Sequence, residues 1–483
     1  MGTVWATYWP HVVLVASIVI GIAAAVHAAM TKDDVRAAIG WVGVILLSPF
    51  LGAALYLVAG INRVRQSSVG HRRAGAERGT ARVAGEAELA IPPLPDPALA
   101  SMKKLGDAIS AFPLTAGNTV RLLAGGDATY PAMLEAIRGA KRFIALSTYI
   151  FDNDDIGREV ADALIAAKAR GVQVRVLIDA VGARYSRPPI TRRLEAGGVT
   201  TGLFLGNVIG FRLPYANLRS HRKMLVVDGT VALTGGMNIR AQFLTALAGE
   251  NVAHDTHFRV VGPAVAQVLT VFRHDWLFAT GERLSPTEWQ ADPDAPSPAP
   301  GPTAARIVPS GPDRNLACTH SMILGALAVA QERVRIASPY FLPDQQLIAA
   351  LATAARRGLE VDIVIPSANN LRLVDYAMTA QLNQVVSVGC RVWRAGGAFD
   401  HSKLMAVDGA WAYVGSSNLD PRSLRLNFEL DLEIYDRALA GEVEARIGQQ
   451  MVGARAETME SLRGRPFWMR LRNRAIWLAS PYL

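Results

Sequence analysis

The chain has 483 residues, enough for two or three domains with complete hydrophobic cores. Its apolar fraction of 51% and mean hydropathy of +0.20 are high for a wholly soluble protein and indicate membrane-spanning segments. The net charge is +9, and residues 1–83 contain eight Lys or Arg against three acids. A modest basic excess beside an apolar N-terminus favours anionic membrane lipid over nucleic acid as a partner. Two cysteines, Cys318 and Cys390, exclude a disulfide framework and a cysteine metal cluster, and are expected to be buried apolar residues.

Two apolar segments near the N-terminus predict transmembrane helices at about residues 10–30 and 38–60. No charged residue occurs between Met1 and Thr31, and none between Ala37 and Asn62. About 20 helical residues cross the hydrocarbon core, so both segments are long enough. A cleaved signal peptide fits poorly, because no positive residue precedes the first segment and a second segment follows at once. A buried helical hairpin of a soluble domain is the remaining alternative.

The distribution of positive residues predicts the orientation of these helices. Only Lys32 and Arg36 lie in the short connecting loop, whereas six arginines follow the second segment: Arg63, Arg65, Arg72, Arg73, Arg78 and Arg82. Because positive residues tend to stay inside, both termini and everything after residue 62 are expected to be cytoplasmic. Residues 1–65 are therefore predicted to form a membrane anchor. Residues 66–100, rich in Gly, Ala, Arg and Pro, are predicted to be a juxtamembrane linker.

From about Asn118 onward, the chain predicts an α/β fold that occurs twice. Strand, helix and strand follow one another in each copy, over residues 142–151, 157–171 and 172–179 and again over 333–341, 345–358 and 359–366. A Pro-rich segment at 291–304 separates the copies. The predicted domains are therefore 101–290 and 305–483, related by an internal duplication.

One polar motif occurs in both copies. Each motif contains a His, a Lys, an Asp, a pair of small residues and an Asn at the same spacing: His221, Lys223, Asp228, Gly235, Gly236 and Asn238, then His401, Lys403, Asp408, Gly415, Ser416 and Asn418. The Asp-Gly pair between β-rich runs predicts a hairpin. Residues i and i+2 of a strand share a face, so His and Lys are expected to project together, with Asn returning beside them. Lys and Asn suit phosphate oxygens, and His suits a nucleophile or proton carrier.

These residues resemble the phospholipase D superfamily, whose hallmark is two His-x-Lys-x4-Asp motifs. Within it, the chain is similar to the bacterial cardiolipin synthases. Residues 255–282, 338–351, 418–436 and 466–483 also resemble segments of that family, as do the paired N-terminal spans. The resemblance covers nearly the whole chain apart from the two linkers. It implies two duplicated α/β sandwich domains with pseudo-twofold symmetry that share one pocket.

The resemblance also implies roles for the motif residues. His221 is expected to attack phosphorus and form a phosphohistidine, and His401 to act as the acid and base, with the reverse assignment left open. Lys223, Lys403, Asn238 and Asn418 are expected to hold phosphate oxygens. Ser416, which replaces Gly236, is expected to add a hydroxyl to that phosphate site. The family further suggests that Asp255, 34 residues after His221, and Glu429, 28 residues after His401, orient the histidines.

The hallmark acids and several neighbouring residues are expected to have structural roles. Asp228 and Asp408 belong to the catalytic motif of the family. Each lies five residues after its Lys, an odd number, so along a strand its side chain points to the face opposite His and Lys, which favours a structural role. Arg222 lies between His221 and Lys223 on the opposite strand face, where structural pairing is expected. His254 and His257 flank Asp255 and are expected to be structural.

The implied reaction transfers a phosphatidyl group from one phosphatidylglycerol to another, giving cardiolipin and glycerol at a bacterial inner membrane. The sequence contains no P-loop, dinucleotide fingerprint or metal-ligand cluster, so no cofactor or metal is expected. Hydrolytic phospholipase D, a nuclease and a non-catalytic lipid-binding protein are the alternatives, and the complete motifs and mild charge disfavour the last two.

The C-terminal segment 466–483 mixes aromatic residues with arginines. It contains Trp468, Trp477 and Tyr482 together with Arg470, Arg472 and Arg474. Such a pattern predicts either a helix lying on the bilayer surface or an ordinary packed terminal helix.

Overall fold

The computed structural model describes residues 2–32, 34–60, 96–206, 218–294, 299–313 and 315–480. They divide into two units, residues 1–68 and 69–483. The arginines at 63–82 that predict the orientation lie outside the described residues, as do Tyr482 and most of the predicted linker 66–100. The domain boundaries remain predictions, although a helix begins at Pro97 and a strand at Thr303, inside the two predicted linkers.

The N-terminal unit contains one long helix followed by three short helical segments. Its elements are α1 (Gly2–Thr31), α2 (Val35–Leu47), α3 (Pro49–Leu55) and a π-helical turn (Tyr56–Gly60). Tyr56 is buried against α1, where its hydroxyl lies 2.8 Å from His27 Nδ1 and its ring packs on Trp41. Within the described residues, a single helix, Tyr8–Thr31, is long and apolar enough to cross a membrane.

The second predicted span, 38–60, is not a continuous helix. Asp34 caps the start of α2 by accepting from Ala37 N–H, and α2 ends at Leu47 because Ser48 leaves the helical conformation and Pro49 opens the next helix. Proline suits the first position of a helix, where no N–H donor is needed, but not its interior. The 13 residues of α2 span about 20 Å, less than the roughly 30 Å of a hydrocarbon core. Within the described residues, a second continuous transmembrane helix is therefore not shown.

The second unit contains 16 strands and 14 α-helices within its described residues. The strands are β1 (Thr115–Ala124), β2 (Phe143–Thr148), β3 (Gln173–Asp179), β4 (Thr200–Phe204), β5 (Arg219–Ser220), β6 (Met224–Val227), β7 (Val231–Gly235), β8 (Thr256–Val261), β9 (Thr303–Ser310), β10 (Arg333–Ala337), β11 (Glu360–Pro366), β12 (Arg391–Ala395), β13 (Leu404–Val407), β14 (Trp411–Gly415), β15 (Asn427–Tyr435) and β16 (Arg455–Glu457). The helices are α4 (Pro97–Ile109), α5 (Gly125–Gly139), α6 (Asp155–Ala169), α7 (Ile190–Ala196), α8 (Thr245–Ala248), α9 (Ala264–Thr280), α10 (Cys318–Val329), α11 (Gln345–Arg356), α12 (Arg372–Gln381), α13 (Asn383–Val386), α14 (Pro421–Arg425), α15 (Arg437–Met451), α16 (Met459–Arg463) and α17 (Phe467–Trp477). Short 3-10 turns occur at Gly182–Arg184, Ala241–Phe243 and Gly249–Asn251.

All 16 strands belong to one sheet whose order repeats about its centre. The first half runs β1-β8-β7-β6-β2-β3-β4, and the second runs β9-β15-β14-β13-β10-β11-β12-β16. Antiparallel pairing of β1 with β9 joins the halves. Within each half, β2-β3-β4 and β10-β11-β12 are parallel and the remaining pairs on this path are antiparallel. The predicted duplication is therefore present as two α/β halves of one mixed sheet.

Helices cover both faces of this sheet. On one face, α9 and α15 bury a core that draws residues from both halves, including Phe258, Trp276, Phe428 and Ile434. On the other face, each half has its own core, under α5 and α6 in the first half and under α10 and α11 in the second. Cys318 and Cys390 are buried and form no disulfide, as predicted. The shared core holds the two halves in a fixed relation, on which the site depends.

Candidate active site

The two motifs form the predicted hairpins. β6 and β7 pair antiparallel around the Asp228-Gly229 turn, and β13 and β14 pair around Asp408-Gly409. His221 and His401 lie at the opposite ends of these hairpins from the turns, just before β6 and β13 begin. Four residues of strand separate each histidine-lysine pair from its aspartate.

Each histidine is paired with a carboxylate of the other half. His221 Nδ1 lies 2.9 Å from Glu429 Oε2, and His401 Nδ1 lies 2.9 Å from Asp255 Oδ2. A Nδ1–H that donates to a carboxylate leaves Nε2 with its lone pair, which is the form a nucleophile or base requires. The ring centroids of the two histidines are 6.4 Å apart. Asp255 and Glu429 thus each lie beside a motif histidine, but each is paired with the histidine of the opposite copy and not with that of its own copy, from which the sequence spacing was counted.

Backbone hydrogen bonds repeat the same crossing. His221 N–H donates to Phe428 O at 2.9 Å, and His401 N–H donates to His254 O at 2.7 Å. Each acceptor immediately precedes the carboxylate that holds the donor's imidazole. The main chain of His254 therefore supports the site, in keeping with its predicted structural role. Both the main chain and the side chain of each histidine are fixed by the opposite half.

The small residues of the motif make room for these carboxylates. A Cβ added at Gly236 would lie 2.3 Å from Asp255 Oδ1, so glycine lets the orienting acid approach the hairpin. In the second half Ser416 holds the equivalent position, and its hydroxyl donates to Glu429 Oε2 at 2.6 Å and accepts from Leu430 N–H. The Ser416 hydroxyl is thus occupied by the orienting carboxylate, not directed to a phosphate as the sequence suggested.

Both motif lysines are buried beside the histidines. Lys223 Nζ donates to His221 O at 2.6 Å, and Lys403 Nζ donates to His401 O and lies 2.9 Å from His401 Nδ1. Burial lowers the pKa of Lys223 to about 7 and that of Lys403 to about 8, and the Lys403 ammonium further lowers the pKa of Lys223. The nearby carboxylates oppose this shift. The site therefore holds two cations that are poorly solvated and suited to receive an anion.

Burial also acts on the imidazoles and their acids. It lowers the pKa of His221 well below its usual value and that of His401 to about 4, with the lysine charges acting in the same direction. Burial raises the pKa of Glu429 above its ordinary value, and Lys223 only partly offsets this. Burial also acts to raise the pKa of Asp255, but its hydrogen bond from His401 and the Lys403 charge outweigh that effect and the pKa is lowered. Both imidazoles are thus neutral at neutral pH.

The motif asparagines are held differently in the two halves. Asn238 Oδ1 accepts from Ile150 N–H at 3.1 Å, which fixes the side chain with its Nδ2 group as the part able to donate to a ligand. Asn418 Nδ2 donates to Ser423 Oγ at 3.3 Å, and Asn418 Oδ1 is buried without a hydrogen-bond partner among the described residues. Of the two asparagines, Asn238 is therefore the one whose amide N–H₂ group is placed to donate to a phosphate oxygen.

The hallmark aspartates bind backbone amides at the far end of each hairpin. Asp228 accepts from the N–H groups of Lys141, Arg142 and Phe143 at 2.8–2.9 Å. Asp408 makes the same three contacts with residues 331–333. Each aspartate has a positive φ, 52° and 53°, in the left-handed region that Asp tolerates better than most residues. They join each hairpin to the start of β2 or β10, which is a structural arrangement.

Other polar residues around the motifs are also paired. Arg222 is fully buried and makes a bidentate contact with Asp275 at 2.7 Å, with further bonds to Glu429 O and Ser310 O. His257 Nδ1 accepts from Met237 N–H at 3.4 Å, and burial lowers its pKa to about 4. Both residues occupy the structural positions that the sequence suggested.

Three residues at the site were not singled out from the sequence. Asp179, at the end of β3, accepts from Ser220 N–H at 2.8 Å and so fixes the residue before His221. The Tyr149 ring lies 5.5 Å from the His221 ring, and the Tyr340 ring lies 5.9 Å from the His401 ring. Asp179 and both tyrosines lie near the carboxyl ends of predicted strands, and polar residues at the carboxyl ends of parallel strands mark a site. That position was the available signal.

Comparisons with known proteins agree with this geometry. The family model described as "Cardiolipin synthase, PLD-like domain" matches residues 133–276 and 323–451, one stretch in each half of the sheet. A second model, "Phospholipase_D-nuclease N-terminal", matches residues 19–60.

Curated relatives extend over the whole chain. "Cardiolipin synthase A" of Pseudomonas aeruginosa is 34% identical over 99% of this chain and 97% of its own length. "Cardiolipin synthase A" of Pseudomonas putida is 34% identical over 96% of each chain. Among solved structures, the phosphatidylserine synthase of Haemophilus influenzae superposes with a TM-score of 0.59, at 20% identity, over 79% of this chain and 100% of its own, which shows a shared fold. The family model matches both halves of the sheet, and curated relatives match the chain over nearly its full length. The chain therefore belongs to the cardiolipin synthase family of phospholipase D-like proteins.

Proposed function

We propose that the protein is a phosphatidyltransferase that converts two phosphatidylglycerol molecules into cardiolipin and glycerol. One observation carries the proposal: two neutral imidazoles, each held by a carboxylate of the opposite half, lie 6.4 Å apart between two buried lysines. That spacing lets one imidazole attack phosphorus while the other exchanges a proton with the departing oxygen. Relatives named cardiolipin synthase A match the chain from end to end, which supports this choice of reaction.

In the first step, His221 Nε2 attacks the phosphorus of one phosphatidylglycerol. The bond from phosphorus to the glycerol head-group oxygen breaks, and that oxygen takes the proton that His401 Nε2 gains when the phosphodiester anion binds. Glycerol leaves, and a phosphatidyl group remains on His221. In the second step, the terminal hydroxyl of another phosphatidylglycerol gives its proton to His401 and attacks phosphorus. The P–N bond then breaks, which releases cardiolipin and restores both imidazoles.

The difference between the two carboxylates supports His401 as the acid and base. Asp255 has a lowered pKa and stays ionised, so it stabilises an imidazolium at His401. The Glu429 charge is shared among His221, the Ser416 hydroxyl and the Asn427 amide, which suits a residue that only orients a nucleophile. His401 is neutral in the resting protein, and the bound phosphodiester anion raises its pKa so that it can carry the proton.

The lysines and Asn238 supply the charge that the reaction needs. Two buried ammonium groups beside the histidines stabilise the non-bridging oxygens as negative charge develops in the transition state. Burial also excludes water, which favours a lipid alcohol over hydrolysis in the second step. The phosphate groups are thus held by charge that is already in place.

Helix α1 is proposed to anchor the protein in the bacterial inner membrane. The 24-residue stretch Tyr8–Thr31 is long enough to cross the bilayer once. A second passage by residues 38–60, which their length without a charged residue favours, and a cytoplasmic location of the catalytic unit, which the charge distribution favours, are finer proposals.

The test is to reconstitute the purified protein in vesicles of phosphatidylglycerol alone, without nucleotide, and follow the lipids by mass spectrometry. Cardiolipin with an equimolar amount of glycerol is the expected product. Phosphatidic acid in place of cardiolipin would assign the protein to the hydrolytic phospholipases instead. Matched His221→Ala and His401→Ala variants should both be inactive, and turnover by either one would contradict the assigned chemistry.

A further inference from the structure

The C-terminal helix α17 has one buried face and one exposed apolar face. Asn473 is buried, and Trp477 Nε1 donates to Gln381 Oε1 of α12 at 3.4 Å. The Arg472 guanidinium lies 3.7 Å from the centre of the Tyr376 ring, also on α12. These contacts hold α17 against α12. The helix is therefore an integral part of the catalytic unit, with a defined side turned to solvent.

The exposed side continues onto α12. The contacts Tyr376–Arg472 and Gln381–Trp477 advance by five residues on each helix, so the two helices run in the same direction, with Leu371 just before the start of α12 and Phe467 at the start of α17. The apolar residues of this surface, which we call the C-terminal apolar face, are Leu371, Leu373, Phe467, Trp468, Leu471 and Leu478. Trp468 and Leu478 are each 74% exposed. Side chains of this size are seldom left together in water without a partner.

Arginines border this apolar surface. At 100° per residue, Trp468, Leu471 and Leu478 share one stripe of α17, while Arg472 lies on one side of the stripe and Arg474 on the other. From Ser461 to Ser480 the sequence contains five arginines and no acid. An apolar stripe between cationic borders is the pattern of a helix that lies in the plane of an anionic bilayer.

The surface is also connected to the active site. Leu371 directly follows Asn370, whose Oδ1 accepts from the Tyr340 hydroxyl at 2.9 Å. The Tyr340 ring in turn packs 5.9 Å from the His401 ring. Asn369 Nδ2 donates to Pro339 O at 2.8 Å, which fixes the same loop from its other side. One end of the C-terminal apolar face is thus joined by direct contacts to the acid and base of the proposed reaction.

We propose that the C-terminal apolar face inserts into an anionic bilayer and sets the His401 side of the active site at the membrane surface. This inference rests on the proposed function, because a lipid substrate has to pass between the bilayer and the site. Apolar side chains would enter the boundary of the acyl chains to a depth of about 5–10 Å, with the arginines at the phosphates. A transmembrane anchor alone keeps the catalytic unit near the membrane but does not orient it.

The test places a fluorescent reporter on the full-length protein. Ala475 is exposed within the apolar stripe, and both native cysteines are buried, so an Ala475→Cys variant takes an environment-sensitive dye selectively. Reconstituted in phosphatidylglycerol vesicles, the dye should shift to the blue and be quenched by nitroxide lipids. The matched control is the same dye at Lys168→Cys, an exposed position on α6, which should stay accessible to aqueous iodide.

A second variant removes the surface without touching the active site. Trp468→Asp/Leu471→Asp in the Ala475→Cys protein should return the dye to water and lower cardiolipin formation in vesicles by about tenfold or more, since each large side chain contributes a kcal/mol or more of apolar transfer. Val452→Asp is the matched control, because Val452 is 84% exposed and belongs to neither helix. It should behave as the parent protein.

Each result decides one question. If the dye on Ala475→Cys remains open to iodide in phosphatidylglycerol vesicles, bilayer insertion is wrong even when cardiolipin forms. A different outcome is that the dye is shielded from iodide in detergent without lipid, to a degree that rises with protein concentration. That result would show that a second copy of the chain covers the surface, which also overturns the proposal. If the dye is inserted but no cardiolipin appears, the proposed function fails while the docking surface stands.

Discussion

At the scale of single residues, the buried lysines set the working range of the site. Lys223 and Lys403 are almost fully enclosed, yet each must be charged to attract a phosphodiester. Their pKa values, lowered by burial to about 7 and about 8, put the loss of that charge close to neutral pH. The histidines have still lower pKa values and are neutral over the same range. Alkaline pH therefore acts on the lysines.

We expect kcat/KM for phosphatidylglycerol to fall as the pH rises through about 7 to about 8. Below its pKa each lysine is protonated and binds the anion, and above it the lysine is neutral and that attraction is lost. The measurement is a pH profile of the initial rate in vesicles at constant ionic strength.

Lys223→Arg provides the control for this profile, because arginine stays protonated throughout. Its profile should keep only the fall that belongs to Lys403, near pH 8. A wild-type rate that is constant well above that pH would show that the lysines hold their protons more tightly than their burial implies.

The sequence predicted most of these residues but not what each one contacts. Repetition and spacing identified the two histidines, the lysines and the asparagines, because they recur at fixed intervals in two copies. Ser416 could not be understood in this way, since its hydroxyl bonds to Glu429, which follows 13 residues later on another strand. The sequence shows only that a hydroxyl lies within a phosphate-binding motif. The pairing of the strands shows that this hydroxyl is hydrogen-bonded to a carboxylate instead.

At the scale of secondary-structure elements, each motif hairpin is joined to its neighbouring strand by an aspartate. Asp228 gathers three consecutive N–H groups at the start of β2, and Asp408 does so for β10. Those groups precede or begin a strand and would otherwise have no partner in the sheet. The aspartates therefore fix where the hairpin sits, and the hairpin places the histidine.

Asp228→Asn should lower stability while leaving chemistry intact. The amide presents an N–H₂ group toward one of the three N–H donors, so a hydrogen bond is lost at a cost of about 1–3 kcal/mol, and the melting temperature should drop by a few degrees. Asparagine accepts the positive φ, so the turn itself is kept.

Thermal unfolding and kcat measured well below the transition check this expectation, with Asp408→Asn as the matched variant. Loss of kcat at unchanged melting temperature would show that the hallmark aspartate takes part in the reaction.

The second apolar segment shows how single residues divide a helix that composition predicts as continuous. Residues 38–60 carry no charge, and a hydropathy pattern treats them as one span. Ser48 and Pro49 end one helix and begin another, because proline fits the first turn of a helix and disrupts its interior. Two residues therefore interrupt the helix, although the average hydropathy of the 23 residues 38–60 predicts one continuous segment.

At the scale of the whole molecule, the site exists only where two halves of one sheet meet. The duplication was predictable, because the motif and the strand–helix–strand pattern occur twice in the sequence, and the strand order of each half is repeated in the other. The exchange of carboxylates was not, because spacing along the chain does not show which half supplies the partner of a given imidazole. His221 finds its acid 208 residues away, and His401 finds its acid 146 residues away in the opposite direction.

The crossed pairs predict different consequences for the two acids. Glu429→Gln should prevent His221 from attacking, whereas Asp255→Asn should impair proton transfer at His401 and leave a phosphatidyl group on His221. Each should lower kcat by about two to four orders of magnitude. Lipid with a radiolabelled acyl chain, followed by rapid denaturation, measures the label retained on the protein.

Label should remain on Asp255→Asn and on His401→Ala but not on Glu429→Gln or His221→Ala. The reverse pattern would exchange the roles of the two histidines. Equal retention by Asp255→Asn and Glu429→Gln would mean that neither acid acts through a single imidazole.

The crossed pairing also controls when activity first arises. A chain under synthesis completes β6 and β7 long before Glu429 is made, so the newly folded first half has His221 without its orienting carboxylate. An incomplete chain therefore lacks both the carboxylate that orients His221 and the histidine that acts as acid and base. Under the proposed mechanism, chemistry requires that the second half has been made and has docked on the first.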